Sequence, residues 1–276
     1  MKLSKKLLSV AIAAAIAAPV MVTPVTAQAG GDSFTGNIGI HSKYLLRGIF
    51  EETNDPAVQG GLDYSKDNGF YAGWWFSNLG YSYDSSRVGV PVSGGGVEDG
   101  IDFGTARGFE NDFYAGFAGD FGDSGVGWDV SLLQYLYLNV DDANLTEALG
   151  TLSYKGFSVG FQYLLVDGWW GNAGDIYWKA GYETDLPKNF SLALGLTWYT
   201  YDDSDNSELG GCGGTSVGCN VTTNDSGFRY FNITVSHPIG STGADAYVQY
   251  TFAGEDRTGK DYDDSIVAGI TYDFDI

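Results

Sequence analysis

The chain holds two cysteines, two histidines and six prolines in 276 residues, and its 14 Lys and Arg face 35 Asp and Glu. Each scarcity removes a class of protein. A formal charge of −21 repels phosphate backbones and excludes a nucleic-acid partner. No stretch after residue 30 approaches the roughly 18 consecutive apolar residues of a spanning helix, so any crossing of a bilayer must be made by strands. With His41 and His237 alone, nucleophilic catalysis has little to work with. Ser42 and Ser236 adjoin them, but neighbours on a strand point to opposite faces and cannot pair. A membrane-embedded hydrolase would need a distant serine, and no catalytic residue, metal or cofactor is expected. Asp203, Asp205 and Ser207 imitate the opening of a calcium loop, yet Glu208 and Gly214 stand where that loop needs Gly and Glu. A looser cation site among Asp202, Asp203, Asp205 and Glu208 and a solvated acidic loop are the two alternatives.

What is present begins with an export signal. Lys2, Lys5 and Lys6 precede an apolar run from Leu7 to Val22, and Ala27-Gln28-Ala29 supplies the small residues of a cleavage site. Residues 1–29 are therefore expected to be a cleaved signal peptide, leaving residues 30–276 as a single domain. Removing those three lysines takes the formal charge from −21 to −24. Cys212 and Cys219 lie in a run of Gly, Ser, Thr and Asn. In an exported chain two close cysteines are most simply a disulfide, with free or metal-bound thiols the alternatives.

Glycine (41), Tyr (19) and Phe (16) are abundant, and the apolar residues alternate. Ile176, Trp178, Ala180, Tyr182, Thr184 and Leu186 interleave with Tyr177, Lys179, Gly181, Glu183 and Asp185. After Pro187-Lys188-Asn189 the pattern resumes as Phe190, Leu192, Leu194, Leu196, Trp198 and Thr200. A period of two means strand, with one greasy face and one small or polar face. The same reading gives roughly twelve strands, the first from Phe34 to Phe50, the third from Phe70 to Tyr81 and the last ending at Ile276. Tight turns such as Lys66-Asp67-Asn68-Gly69 and Lys155-Gly156 alternate with long loops, including a Gly, Ser and Asp-rich one from Ser82 to Gly108.

That asymmetry predicts an all-β, transmembrane antiparallel up-and-down β-barrel with short periplasmic turns and long extracellular loops. Strands of about ten residues tilted by about 40° span roughly 25 Å, the height of an outer-membrane apolar band. Ile266, Ala268, Ile270, Tyr272, Phe274 and Ile276 share one face. This is the kind of C-terminal strand read by the outer-membrane assembly machinery, although Ile276 stands where Phe is usual.

Several stretches resemble the TorF-family porins of bacterial outer membranes. They are Gly36-Asn37-Ile38, Tyr44-Leu45-Leu46-Arg47-Gly48-Ile49, Pro56-Ala57-Val58-Gln59-Gly60-Gly61 and Gly69-Phe70-Tyr71-Ala72-Gly73-Trp74. Leu152-Ser153-Tyr154-Lys155-Gly156-Phe157-Ser158-Val159-Gly160 and Asp175-Ile176-Tyr177-Trp178 continue the likeness. The resemblance implies an outer-membrane barrel with a channel role and no catalytic residues. The cysteine-bearing loop is longer than the family's pattern.

Strand parity turns His41, Lys43, Arg47, Asp63, Glu147, Lys179, Glu183, Asp185, Arg229, Asp245 and Gln249 inward. Lys or Arg facing lipid costs about 2–4 kcal/mol at the midplane, so their shared parity argues for a polar, pore-lining interior. A narrow channel for small hydrophilic solutes or cations is expected, and a barrel plugged by internal salt bridges is the alternative. Arg47, on the first strand, would line the pore near its outer mouth. Glu51, Glu52 and Asp55, with Asp202, Asp203, Asp205, Glu208 and Asp225, would concentrate cations there. Outer-membrane lipid and lipopolysaccharide, the latter bridged to these carboxylates by divalent ions, are the other expected partners.

Overall fold

Alternation becomes register in the computed structural model, which describes residues 32–81, 83–91, 97–101, 107–141, 143–168, 170–202 and 222–276. The expected signal peptide over 1–29, Cys212, Cys219, Asp203, Asp205 and Glu208 lie outside the described residues. The strands are β1 (Ser33–His41), β2 (Tyr44–Leu46), β3 (Phe50–Thr53), β4 (Ala57–Ser65), β5 (Phe70–Asn78), β6 (Tyr83–Pro91), β7 (Val97–Ile101) and β8 (Phe109–Asp120). They continue as β9 (Gly127–Leu138), β10 (Thr146–Tyr154), β11 (Phe157–Leu164), β12 (Ile176–Leu186), β13 (Phe190–Thr200), β14 (Ser226–Pro238), β15 (Ala244–Ala253) and β16 (Ser265–Asp275).

Twelve of these strands close into one antiparallel barrel in the order β1-β16-β15-β14-β13-β12-β11-β10-β9-β8-β5-β4. The ring is completed by β1 against β4 (Ser33↔Ser65 to His41↔Ala57) and β1 against β16 (Thr35↔Asp275 to His41↔Gly269). β12 and β13 pair without a slip from Ile176↔Thr200 to Leu186↔Phe190. Short turns gather at one end; at Lys155-Gly156 both residues have positive φ, the backbone a two-residue primed turn needs. The longer connections gather at the other, the loop end.

The exterior is the greasy face. Ile40, Leu132, Phe157, Val159, Val248 and Ile266 are all more than half exposed. Aromatics form two belts: Trp178, Trp198 and Phe252 toward the loop end, and Phe117, Phe157, Phe190 and Tyr272 toward the turn end. A closed barrel with an apolar outer band between aromatic girdles is a transmembrane barrel. The outward residues of β16 are Ile266, Ala268, Ile270 and Tyr272, as the alternation predicts.

Two departures from strict alternation matter. The predicted first strand is too long: β1 stops at His41, and Tyr44–Thr53 turn back as the separate hairpin β2–β3. Part of the predicted loop from Ser82 to Gly108 likewise forms the hairpin β6–β7. The physical reason in the first case is that Tyr44, Leu45 and Leu46 are all buried. Three consecutive buried apolar residues cannot belong to a strand with one face in lipid and one in a polar bore.

The second departure is a bulge in β14. Thr197 pairs with Tyr230 and Trp198 with Phe228, so Arg229 has no partner on β13. Arg229 and Tyr230 both turn inward, 2% and 3% exposed. A bulge re-aims a side chain by inserting one extra residue. Without it, an inward Arg229 would carry Phe231, Ile233 and Val235 inward with it.

Candidate functional site

The β2–β3 hairpin is folded into the bore. Its two-residue tip, Arg47-Gly48, has φ of 48° and 77°, and the Ile49 amide donates to the Leu46 carbonyl at 3.4 Å. Glycine is required at the second position, because the Tyr230 ring occupies the space a Cβ would take. Arg47 holds a left-handed backbone that costs a non-glycine residue free energy, and it does so because its side chain is fixed on many sides.

Those contacts come from the far wall. The Arg47 guanidinium donates to Glu147 Oε1 on β10 at 2.5 Å, to Tyr135 on β9 at 3.4 Å and to Tyr199 on β13. Its Cζ lies 4.8 Å from the ring centroids of Trp170 and Tyr177. In the barrel order these strands stand opposite β1 and β4, from which the hairpin springs, so the hairpin crosses the bore. Leu45 packs with Tyr247 and Val267, and Tyr44 joins a cluster with Leu79, Leu133, Tyr135 and Tyr137. Arg47 is thus at the tip of an inserted hairpin and not on the first strand, which corrects the placement expected from parity. Apart from the Tyr44-Leu45-Leu46 run, the one local signal was Gly48, a turn residue inside an apparent strand.

The bore divides in two. Its loop-end half is tightly filled: Glu110, Asp112, Tyr135, Glu147 and Tyr177 are fully buried. Tyr137 donates to Glu110 at 2.9 Å, while both carboxylate oxygens of Asp112 are without a hydrogen-bond partner among the described residues. Toward the turn end the filling is less complete, although Tyr71 and Asp129 are buried there as well. Asp63, Glu183 and Asp245 are half-buried there and Asp185 and Asp273 are exposed, whereas the half-buried Lys179 is nearer the loop end of β12. Tyr114 donates to Asp63, and Tyr71 donates to Asp129 at 2.7 Å.

The remaining expected residues fall as follows. His41 lies at the loop end of β1, 4% exposed, its Nδ1 2.6 Å from the Tyr247 hydroxyl. Lys43 is half-buried where β1 passes into the hairpin. Gln249, on β15, accepts from Thr234 at 3.0 Å and donates to Thr251 at 3.1 Å. Ser42 Oγ accepts the Ala268 amide, and His237 Nε2 is 3.2 Å from the Lys188 carbonyl. Neither histidine hydrogen-bonds a serine among the described residues.

At the loop end, beside the hairpin tip, lies a cavity of about 390 Å³. Arg47, Arg229 and Arg257 line it together with Phe50, Trp170, Tyr199 and Tyr201. Arg257 is ion-paired with Asp175, whose carboxylate also accepts the Asn172 and Asp202 amides at 2.9 Å. Glu52, in β3, accepts the Tyr81 hydroxyl at 2.6 Å.

A family model described as a bacterial protein of unknown function (Gcw_chp) matches residues 26–167. The chain belongs to the Gcw_chp family. The match covers β1 to β11 and so includes the inserted hairpin. No curated protein matches the Gcw_chp chain. Among solved structures, it is similar to the KdgM porin, with 8% identity and a TM-score of 0.48 over 88% of this chain and 99% of that one. An outer membrane channel from Pseudomonas putida F1 gives 9% and 0.49 over 89% and 96%. Outer membrane phospholipase A from Escherichia coli gives 13% and 0.41 over 87% and 90%. Likenesses this distant, to channels and an enzyme alike, carry neither a solute nor an activity to the Gcw_chp barrel.

Proposed function

We propose that the protein is an outer-membrane channel of the TorF porin type. Small hydrophilic solutes or ions would pass by passive diffusion through a narrow, cation-preferring bore. The observation that carries this reading is the polar bore, with half-buried and exposed carboxylates toward its turn end and the β2–β3 hairpin seated near its loop end. Turns would face the periplasm and loops the exterior, and β16 would present its apolar face to the assembly machinery. Cation preference is supported by Asp63, Asp129, Glu183, Asp185, Asp245 and Asp273, inward carboxylates toward the turn end that outnumber the one inward lysine of β12, Lys179. Carboxylates lining a pore raise the local cation concentration. Acidic residues at the loop end would share divalent ions with lipopolysaccharide.

The seated hairpin favours a second reading, a barrel that does not conduct and acts through its loops. Liposome swelling with graded sugars and amino acids, together with planar-bilayer reversal potentials, separates the two. Size-dependent swelling and a cation-selective potential are expected; an anion-selective potential overturns the cation preference, and neither swelling nor conductance overturns the channel.

The hairpin also gives the channel an expected pH dependence. Burial pushes the Glu52 carboxyl up from 4.5 to about 7, although the Tyr81 hydroxyl bond pulls it down. Tyr44, Tyr81, Tyr137 and Glu110 are the other titratable groups around it, and phenols stay neutral below about pH 10. The seated state binds the proton more tightly than the released state. Seating is therefore strongest below pH 4.5 and weakens as pH rises through about 7. Conductance should be lower at pH 5 than at pH 8, and Glu52→Gln should reduce the difference.

A further inference from the structure

We infer that the cavity between the hairpin tip and β14 is a binding site for a small organic carboxylate carrying one ring, with Arg229 as its anchor. The three arginines of this cavity differ in what they already hold. Arg47 is paired with Glu147 and Arg257 with Asp175. Arg229 has no carboxylate partner among the described residues; its Nε donates to the Arg47 carbonyl at 3.4 Å, and the Tyr201 hydroxyl is its other polar neighbour. It is nevertheless 2% exposed. A guanidinium taken out of water without a counter-ion is costly, and an anion bound in the cavity would offset that cost.

Its orientation fits a ligand. The Arg229 Cζ lies 4.4 Å from the Phe50 ring centroid and 5.3 Å from that of Tyr199. The two rings flank the guanidinium, which also lines the cavity. A planar fork held in this way matches a carboxylate through two parallel hydrogen bonds. Tyr201, which lines the same space beside Arg229, has a buried hydroxyl that makes no well-formed hydrogen bond among the described residues. The β14 bulge is what delivers Arg229 to this position.

The carboxylates on the cavity wall do not neutralise it. Asp256 accepts from the Thr258 amide and hydroxyl, the Lys260 amide and the Tyr262 hydroxyl. Glu52 accepts from Tyr81, and neither pairs with Arg229. A volume of about 390 Å³ stands near the lower end of ligand pockets, about 300–1,000 Å³, which suits one ring better than a chain of them. The aromatic walls supply faces for that ring. The site is at the loop end of the bore, away from the carboxylates that gather toward the turn end.

The test is calorimetric titration of the folded, full-length barrel in uncharged detergent micelles, with benzoate as probe and benzamide as its neutral counterpart. Saturable benzoate binding is expected, with a Kd on the order of 0.1–1 mM and benzamide at least tenfold weaker. Arg229→Gln should weaken benzoate by tenfold or more, whereas Arg229→Lys should retain part of the affinity; heat-modifiable gel mobility checks that each variant is folded. Absence of benzoate binding, equal binding of benzoate and benzamide, or an unchanged affinity in folded Arg229→Gln overturns the assignment. If the Gln variant does not fold, the benzoate-to-benzamide ratio of the unaltered protein decides. A channel that fails to conduct but binds benzoate refutes the transport reading and leaves this site standing.

Discussion

Replacing residues 43–55 with a two-residue Asn-Gly turn should raise single-channel conductance several-fold and remove its pH dependence between 5 and 8. The expectation follows from how little of the barrel the hairpin supports and how much of the bore it fills. His41 and Ala57 are already register partners across β1 and β4. A tight turn between Ser42 and Pro56 therefore closes that corner with the geometry that Asn-Gly favours. Twelve strands remain, each paired on both sides. What disappears is a cluster of side chains that reaches the opposite wall: Tyr44, Leu45, Leu46, Arg47 and Phe50. Barrels of eight strands are filled by their own side chains and those of 16 to 18 are open, so a twelve-stranded bore is wide enough to need an inserted segment to fill it. Conductance unchanged in a folded variant would locate the obstruction elsewhere, in the wall residues or the remaining loops.

Arg47→Ala should release the hairpin without dismantling the barrel. The substitution removes the ion pair with Glu147 and the stacking on Trp170 and Tyr177. It leaves Glu147, fully buried, with the Tyr135 hydroxyl at 2.9 Å as its remaining hydrogen-bond partner among the described residues. Stranding one member of a buried ion pair costs about 3–5 kcal/mol, a factor of roughly 10² to 10³ or more in the ratio of seated to released hairpin. Amide exchange over Tyr44–Thr53 should accelerate accordingly, while the wall strands keep their protection. Combining Arg47→Met with Glu147→Leu should recover much of the loss, because a buried pair can be exchanged for apolar side chains at little cost. Equal exchange rates in the native and Arg47→Ala proteins would remove the ion pair from any role in seating.

The barrel itself was legible because its physics repeats. Each wall strand carries the same two-residue alternation, and each closure uses the same turn chemistry, so β12 and β13 fall where Ile176 to Thr200 place them. The plug was not legible for the opposite reason. Residues 44–50 read as the continuation of β1 and Glu51 and Glu52 as the loop after it, and what sets the hairpin apart is a contact with β9, β10 and β13 more than 80 residues away in the chain. Parity sees neighbours in sequence and nothing across the bore. Arg229 was placed inward, but parity gives no account of how it can point inward while Phe231 points out. That needed the bulge, which is visible only once β13 and β14 are laid side by side.

The seam between β1 and β16 has a consequence for how the molecule comes into being. Thr35 meets Asp275, and the Ile276 amide donates to the Phe34 carbonyl at 3.0 Å. Apart from the short reach from β5 to β8 and the hairpin bridged by β4, every other wall pairing joins consecutive strands. This seam alone joins the two extremes of the wall and bears the largest loop-closure entropy. Until it forms there is a curved sheet with an open side and no lumen. The Arg47 hairpin is made at the start of the chain and belongs to the concave side of that sheet. Its far-wall partners on β9, β10 and β13 are already in place on that open sheet, so the plug can be seated before the last strand closes the wall around it.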